Sequence, residues 1–246
     1  MAEHTTDHQL AATLATEAGR LLLKVREELK DADSSVRKNE GDSRSHMFLM
    51  SALAQARPRD LVLSEEGADD PARLSASRVW IVDPLDGTRE FSELGRTDWA
   101  VHVALWENGE LAAGAVALPA QDVTLSTPQV PMPAGHHGPL RIVVSRTRPP
   151  EVAVRVRDGL SGKLVEMGSA GAKVLAIVQG RADVYVHAGG QYEWDSAAPV
   201  AVARAAGFHC SRTDGSPLLY NQSDVLLPDL IVCRPEHAAA VLAITT

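Results

Sequence analysis

Residues 79–90 read VWIVDPLDGTRE, in which a short apolar run leads directly into two aspartates three positions apart. The run 79–82 has the β-branched and aromatic composition of a buried strand, and Pro84 is expected to end that strand because proline has no backbone donor. Asp83 and Asp86 would then share a strand tip. Neighbouring carboxylates resist ionising together unless a cation or an arginine lies between them. The stretch therefore predicts a buried strand that ends in a cation-dependent site.

The composition is that of an ordinary globular protein, because 45% of the 246 residues are hydrophobic and 23% are charged. The formal net charge of −8 argues against binding to a nucleic acid polymer, which needs clustered Lys and Arg. The two cysteines, Cys210 and Cys233, match no zinc-site spacing. No apolar run reaches the roughly 18 residues of a membrane span, and no secretory segment is visible. The sequence therefore predicts a cytoplasmic protein that makes no contact with a membrane.

The first half of the chain predicts mixed α and β structure. An amphipathic helix is expected over 8–30, followed by a polar, turn-prone segment and a shorter helix over 44–56. A short strand at 61–63 precedes the opening stretch, and Asn108-Gly109 predicts a hairpin turn after it.

The segment 127–139, TPQVPMPAGHHGP, is rich in Pro and Gly and predicts a boundary between two lobes. An N-terminal α+β lobe would cover 1–137, and a C-terminal α/β lobe would cover 138–246. His136 and His137 could bind a metal, but without acidic or cysteine neighbours a solvated loop is the simpler interpretation. The elements predicted for the second lobe are strands at 140–145, near Leu164, at 183–186 and at 230–233, and helices from 151, over 170–178, from 195 and at the end of the chain.

Three groups of acidic residues lie where predicted elements begin or end: Glu65-Glu66, Asp83 with Asp86, and Asp195. Each group has an ordinary explanation when taken alone. A Glu pair can occupy a solvated corner, Asp-Gly can form a turn, and Asp195 can cap the helix that follows it. Together they offer several oxygen ligands from separate strand ends, with no His or Cys among them, which suits a hard cation such as Mg²⁺.

Such a site could hydrolyse a phosphate ester. Two Mg²⁺ ions about 4 Å apart can polarise a phosphoryl group, lower the pKa of a bound water and stabilise the leaving oxygen. Gly87 would allow close backbone approach, Thr88 would hold the attacking water in line, and a helix starting there would direct its amides at the phosphate. The Asp-x-x-Asp spacing differs from the Asp-x-Asp-Gly-Thr of haloacid-dehalogenase-type phosphatases. An EF-hand is excluded because Leu94 occupies the twelfth position, where Glu is needed.

These motifs resemble those of the inositol monophosphatase superfamily of lithium-sensitive, magnesium-dependent phosphatases. The run 83–88 is similar to its first signature, the run 194–198 to its second, and Glu65-Glu66 to its upstream acidic pair. The resemblance implies a layered α-β-α-β-α sandwich, two to three Mg²⁺ ions, inhibition by Li⁺ and a homodimer.

The resemblance also implies which residues hold the metals. Glu65, Asp83 and the carbonyl of Leu85 would hold one ion. Asp83, Asp86 and Asp195 would hold a second, and Glu65 would help to hold a weaker third.

The catalytic residues that the resemblance implies are Thr88, Glu65 and Asp42. Thr88 would orient the nucleophilic water, and Asp42, in GDSRSH, falls where the family carries an acid that hydrogen-bonds near that water. The family usually precedes this acid with a Val-Thr pair and a further Asp, whereas this chain has a shortened KNEG. A solvated loop aspartate is the alternative interpretation of Asp42.

The segment GSAGAK at 168–173 resembles the 3′-phosphoadenosine 5′-phosphate phosphatases of the same superfamily. Lys173 would neutralise the second phosphate of a bisphosphorylated nucleotide, or it would simply belong to the polar face of the helix 170–178. The predicted substrate contacts are Asp86, Gly87, Thr88, Arg89, Ser169, Lys173 and Asp195.

Other residues qualify this assignment. The subfamily often places Arg where His187 stands here, and Arg146 is a second candidate for the remote phosphate. Tyr192 or Trp194 could stack on a purine, although buried packing is the simpler role for Trp194.

The predicted reaction is Mg²⁺-dependent hydrolysis of the 3′-phosphate of 3′-phosphoadenosine 5′-phosphate to AMP and phosphate, as a recycling step in sulfate assimilation. An inositol-1-phosphate or fructose-1,6-bisphosphate phosphatase on the same scaffold is the nearest alternative. A catalytically idle regulator that binds metal or nucleotide is a more distant one.

Overall fold

The computed structural model describes residues 5–135 and 137–246, so the prediction for His136 lies outside the described residues. Its helices are α1 (Asp7–Glu28), α2 (Ser34–Ala56), α3 (Thr88–Ser92), α4 (Glu151–Gly159), α5 (Ala170–Val178), α6 (Glu193–Ala205) and α7 (Pro235–Thr245), with short 3-10 helices at Pro71–Ser75 and Pro119–Gln121. Its strands are β1 (Leu61–Ser64), β2 (Arg78–Asp86), β3 (Ala100–Glu107), β4 (Glu110–Leu118), β5 (Val123–Ser126), β6 (Arg141–Ser145), β7 (Lys163–Met167), β8 (Val184–Tyr192), β9 (His209–Ser211) and β10 (Leu226–Cys233).

The strands of the described residues form two sheets. The first has the order β1-β2-β3-β4-β5, with β1 parallel to β2 and the other neighbours antiparallel. The second has the order β7-β6-β8-β10-β9, with β6 parallel to both β7 and β8 and with β10 antiparallel to its neighbours. The predicted hairpin turn is confirmed: Asn108 and Gly109 join β3 to β4 with φ values of 50° and 101°, as a tight two-residue turn requires.

Three buried clusters show how the helices and sheets stack. Helices α1 and α2 cover one face of the first sheet, where Leu49 packs with Val103. Helices α5 and α6 fill the space between the two sheets, and Leu175 belongs to that cluster. Helices α4 and α7 cover the outer face of the second sheet through Val152 and Val241. The predicted α-β-α-β-α layering is confirmed, and each buried side chain of this kind stabilises the fold by about 1.5–3 kcal/mol.

The lobe boundary near residue 137 stays a prediction. The cluster between the sheets contains Leu63 from the first sheet and Leu230 from the second, so residues on both sides of the predicted boundary share one buried core.

The second helix is longer than predicted, because α2 begins at Ser34 and includes the segment expected to be a turn. Its buried stripe repeats every four residues and consists of Arg37, Gly41, Ser45, Leu49 and Leu53. Three of the five residues are not hydrophobic, so the apolar periodicity that identifies a helix is absent from its first half. The polar first half of α2 can be buried because its polar groups find partners. The Arg37 guanidinium donates to the carbonyl of Ala32 and, at 3.1 Å, to the carbonyl of Ser92.

The prediction that Pro84 ends β2 is wrong. The strand continues to Asp86 through a bulge, because Asp83 pairs with His102 while Asp86 pairs with Ala100, which leaves one extra residue on β2. A bulge tolerates proline, since its residues need not donate to the ladder. Residues three apart on a regular strand face opposite sides, and the extra residue allows the two aspartates to face the same way.

Several other boundaries differ from the prediction. Strands β5 and β9 were not predicted, β8 extends past 186 to Tyr192, and α6 begins at Glu193, two residues before Asp195. The predicted helix 170–178 is confirmed by α5. Within the described residues, every helix is too short or too polar to span a membrane.

Arg78 joins the start of β2 to three other parts of the fold. Its guanidinium lies 3.0 Å from Asp7, 3.1 Å from Asp60 and 2.5 Å from Glu107. We expect Arg78→Met to lower the free energy of unfolding by about 1–3 kcal/mol, because three partly buried carboxylates lose their shared counterion. Urea unfolding at pH 7 measures this loss. Arg157→Met removes the exposed pair with Asp158 and should cost less than about 0.5 kcal/mol, so equal losses would contradict the prediction.

Candidate active site

The bulge in β2 brings Asp83 and Asp86 close together, and His102 of β3 joins them. One ligand atom of each residue lies within 4.8 Å of the others, and all three side chains are buried. His102 Nε2 is 3.0 Å from Asp86 Oδ2, and His102 Nδ1 is 4.0 Å from Asp83 Oδ2. The predicted pair of aspartates therefore does converge, and these three side chains could hold a metal ion.

Asp86 is held by donors on several sides. Its Oδ2 accepts from Ser169 Oγ at 2.5 Å and from Gly171 N at 2.6 Å, and its Oδ1 accepts from Ala170 N at 3.1 Å. Burial alone would raise the pKa of Asp86, but the adjacent His102 and these donors outweigh burial and lower the pKa to about 2. Asp86 is therefore an ionised anchor for the site, and Ser169, predicted to bind substrate, here donates to Asp86.

Asp83 and Glu65 form a carboxyl pair. Asp83 Oδ1 accepts from Leu85 N at 3.0 Å, and burial followed by the charges of Glu65 and Asp86 raises the pKa of Asp83 well above its usual range. Glu65 follows β1 and is exposed on one side, yet desolvation by the atoms around it raises its pKa to about 7, against the effect of its hydrogen bond with Asp83. Acids whose pKa values are raised in this way ionise together more readily when a cation lies between them.

Asp195 reaches the same cluster from α6. Its Oδ2 accepts from the backbone N–H of Tyr192 at 2.7 Å, so the capping interpretation is confirmed. It is also close enough to the other acids that burial, followed by the charge of Asp86, raises the pKa of Asp195 to about 7. One carboxylate therefore organises the first turn of α6 and lies among the candidate metal ligands.

Asp42 lies on α2, so the interpretation of Asp42 as a solvated loop residue is wrong. Burial and then the charge of Glu66 raise the pKa of Asp42 to about 7, partly offset by hydrogen bonding with Thr88. In the structure the Thr88 hydroxyl donates to the carbonyl of Leu85 at 3.3 Å. The structure thus brings together the two residues expected to handle the attacking water.

The residues predicted to contact substrate have different surroundings. Lys173 is buried, so it does not belong to a polar helix face; its Nζ donates to the carbonyl of Gly168 at 3.0 Å, and burial lowers its pKa. Gly87 begins α3 with φ at 84°, a conformation that favours glycine. Arg89 is exposed and lies 3.4 Å from Glu93. Contact of these residues with a substrate stays a prediction.

The sequence analysis missed His102. The ring is fully buried, and Nδ1 donates to the carbonyl of Trp194 at 3.0 Å, since a carbonyl can only accept. A Cβ on Gly171 would lie 2.1 Å from Nε2, so only glycine fits opposite the imidazole. The available signal was one polar residue in the otherwise apolar strand WAVHVALW. A histidine there must find buried polar partners, and here the partners are the acids.

Comparison with known proteins agrees with this geometry. The inositol monophosphatase family matches residues 4–245, and the chain belongs to this family. The protein named 3′-phosphoadenosine 5′-phosphate phosphatase in Mycobacterium leprae is 50% identical, over 97% of this chain and 93% of the relative. A protein of the same name in Mycobacterium bovis is 54% identical, over 92% of this chain and 88% of the relative. The crystal structure of CysQ from Bacteroides thetaiotaomicron, a bacterial member of the family, superposes with a TM-score of 0.82 at 26% identity, covering 95% of this chain and 99% of that one.

The resemblance predicted from the sequence is therefore confirmed. Membership of the family implies dependence on divalent metal, and the residues present fit such ions. The donor set consists mainly of carboxylates, and the pKa values of Asp83, Glu65 and Asp195 are raised by burial and by one another. Hard divalent cations are the partners that let such a group ionise together.

The raised pKa values predict how stability of the metal-free protein depends on pH. The folded state keeps protons on Asp42, Glu65, Asp83 and Asp195 that the unfolded chain has lost above about pH 4. The free energy of unfolding in EDTA should therefore fall as the pH rises from about 4 to 7. The raised pKa of His102 acts in the same direction above about pH 6.5, because the folded state holds that proton as well.

We expect a lower Tm in EDTA at pH 8 than at pH 5.5, and recovery at pH 8 when Mg²⁺ is added, because the ion binds only the folded site. Differential scanning calorimetry provides the measurement. Asp83→Asn removes one titrating group and should reduce the pH dependence. A Tm in EDTA that increases between pH 5.5 and pH 8 would count against this account.

His102 is expected to support metal binding through its contacts with Asp86 and Trp194. His102→Ala removes both contacts and should weaken Mg²⁺ binding by about 10–100-fold, as loss of residues that orient metal ligands does elsewhere. Titration calorimetry without substrate measures this affinity. His209, whose Nε2 lies 2.9 Å from Ser211 Oγ, provides a control, because His209→Ala leaves the acids untouched. Equal affinities for His102→Ala and the unaltered protein would exclude the role.

Proposed function

We propose that the protein is a Mg²⁺-dependent phosphatase that hydrolyses the 3′-phosphate of 3′-phosphoadenosine 5′-phosphate to give AMP and inorganic phosphate. The observation that carries this proposal is the 50–54% identity with relatives named for that substrate, over nearly the whole length of each chain. The buried cluster of Asp83, Asp86 and His102, with Glu65 and Asp195 near enough that desolvation and then the charge of Asp86 raise their pKa values, supports it independently.

The metal ligands proposed for this chain come from three segments of the fold: the residue after β1, the end of β2 and the start of α6. Glu65, Asp83 and the carbonyl of Leu85 are proposed for one ion, and Asp83, Asp86 and Asp195 for another, with Glu65 assisting a third. Bound Mg²⁺ would neutralise the phosphoryl oxygens and activate water. Asp86 is already ionised, since its pKa is about 2, so it can hold a cation before the other acids lose their protons.

Thr88 and Asp42 are proposed to handle the proton of the attacking water. The Thr88 hydroxyl donates to the carbonyl of Leu85 at 3.3 Å and lies close enough to Asp42 to lower the pKa of that carboxyl. With a pKa of about 7, Asp42 can accept a proton at neutral pH and release it again. The position of Asp42 on α2, close to Thr88, supports this role.

Substrate positioning is proposed for Gly87, Thr88 and Arg89 at the start of α3, and for Ser169 and Lys173 around the start of α5. Amides in a first helical turn favour an anion. Lys173 places a buried cation beneath the Gly168 carbonyl, where it lies near the charges of Asp86 and Asp195. Its contribution would therefore be a positive charge near the proposed metal ligands.

The proposed setting is the cytoplasm and the proposed role is nucleotide recycling in sulfate assimilation. Cys210 and Cys233 are free thiols in the structure, and the pKa of each is raised to about 12 by burial, which makes both poor nucleophiles.

A homodimer and inhibition by Li⁺ remain part of the proposal on the strength of the family resemblance. Sedimentation velocity and a Li⁺ titration of activity test these two properties.

Phosphate release in Mg²⁺ tests the proposed function directly. We expect kcat/KM to be highest for 3′-phosphoadenosine 5′-phosphate in a panel that also contains inositol 1-phosphate and fructose 1,6-bisphosphate. Asp83→Asn should lower kcat by at least about a hundredfold, because two ions lose a shared ligand. Asp158→Asn, which alters an exposed acid, is the matched control. A higher kcat/KM for inositol 1-phosphate or for fructose 1,6-bisphosphate would contradict the proposed substrate. Nucleotide binding without phosphate release would indicate a regulator instead of an enzyme.

A further inference from the structure

Two aromatic rings stack at the start of α6. The ring centroids of Tyr192 and Trp194 are 4.8 Å apart with an interplanar angle of 12°. Trp194 is partly buried and packs against the core between the sheets, whereas Tyr192 is 43% exposed. Scattered exposed hydrophobic residues are normal on a protein surface. Tyr192 differs because one face of its ring is already supported by Trp194, which leaves the other face as a flat, fixed surface.

The backbone of this aromatic pair is hydrogen-bonded to the acidic cluster. The Tyr192 N–H donates to Asp195 Oδ2 at 2.7 Å, and the Trp194 carbonyl accepts from His102 Nδ1 at 3.0 Å. His102 in turn lies 3.0 Å from Asp86. The position of the stacked rings is therefore coupled to two of the acids proposed to hold the metals.

The strand segment that leads to the stacked rings is open to solvent. Gly189 and Gly190 lie in the exposed part of β8 that leads to Tyr192, and a Cβ on either would meet no atom within 4 Å. On the neighbouring strand, Leu226 is paired with Tyr192 and is 42% exposed. Tyr192 thus has an exposed apolar neighbour across the strand pair, and the two glycines before it carry no side chain that could obstruct a flat group.

We propose that Tyr192, backed by Trp194, is the surface on which the purine base of the substrate stacks. This inference rests on the proposed function, because only a nucleotide brings a base to the site together with its phosphate ester. Stacking on an aromatic side chain is available to any base through its π face. Inositol and fructose phosphates have no such face. Tyr192 would therefore favour a nucleotide over these other phosphate esters at the same acidic site.

Kinetics of three variants test the proposal with 3′-phosphoadenosine 5′-phosphate and with inositol 1-phosphate. Tyr192→Ala should raise KM for the nucleotide about tenfold with a smaller change in kcat. The specificity ratio, which is kcat/KM for the nucleotide divided by kcat/KM for inositol 1-phosphate, should therefore fall. Tyr192→Leu keeps an apolar side chain without a π face and should lower the ratio similarly. Tyr192→Phe keeps the aromatic ring, so its specificity ratio should stay close to that of the unaltered protein. Leu219→Ala, at a residue that is 61% exposed outside the stack, is the matched control.

Mg²⁺ affinity measured by calorimetry separates stacking from damage to Asp195. Tyr192→Leu with normal Mg²⁺ affinity and a reduced preference for the nucleotide supports the proposal. Equal losses for both substrates, or an unchanged ratio in both Tyr192→Ala and Tyr192→Leu, would overturn it while leaving the proposed function intact. If the unaltered protein prefers inositol 1-phosphate, the proposed function itself fails, whatever the variants show.

Discussion

The repulsion between buried carboxylates is the constraint on which the site depends. Asp83 and Asp86 lie side by side in β2, and both are almost fully buried. The fold gives the two carboxyl groups different surroundings. Asp86 receives hydrogen bonds from the start of α5 and a contact from His102, which lower its pKa, whereas the pKa of Asp83 is raised by burial and by its acidic neighbours. The protein therefore stabilises the charge of Asp86, whereas it disfavours the charge of Asp83.

This asymmetry explains why the site is built from several segments. The bulge in β2 faces Asp83 and Asp86 the same way, and α5 supplies the donors that keep Asp86 ionised. Helix α6 supplies Asp195, whose carboxylate also bonds to the backbone before that helix. Both helices lie between the two sheets, so the layered packing sets the separation of the acids. A hydrophobic core with little freedom to shift is a suitable support for ligands that must be placed closely.

Much of this arrangement could be predicted from the sequence, because its chemistry is local. The acids at 65, 83, 86 and 195 were identified from residue type and spacing, and the family signatures gave the fold. The errors concern features that only tertiary contacts determine. Helix α2 hides its periodicity because Arg37, Gly41 and Ser45 occupy its buried face, and no local rule predicts that backbone carbonyls will receive the Arg37 guanidinium. The bulge at Pro84 likewise depends on the register with β3.

His102 illustrates the same limit for function. The strand pattern around it is apolar, so a reader of the sequence sees a polar interruption and cannot know that the residue opposite is Asp83. The pairing of β2 with β3 supplies that information, and the glycine at 171 then becomes intelligible, since any larger residue would meet the imidazole. Because His102 contacts Asp86 with one nitrogen and the carbonyl of Trp194 with the other, it links the first sheet to α6. The contacts of one imidazole with Asp86 and with the backbone of Trp194 therefore help to position Asp86 relative to the start of α6, together with the packing of the helix.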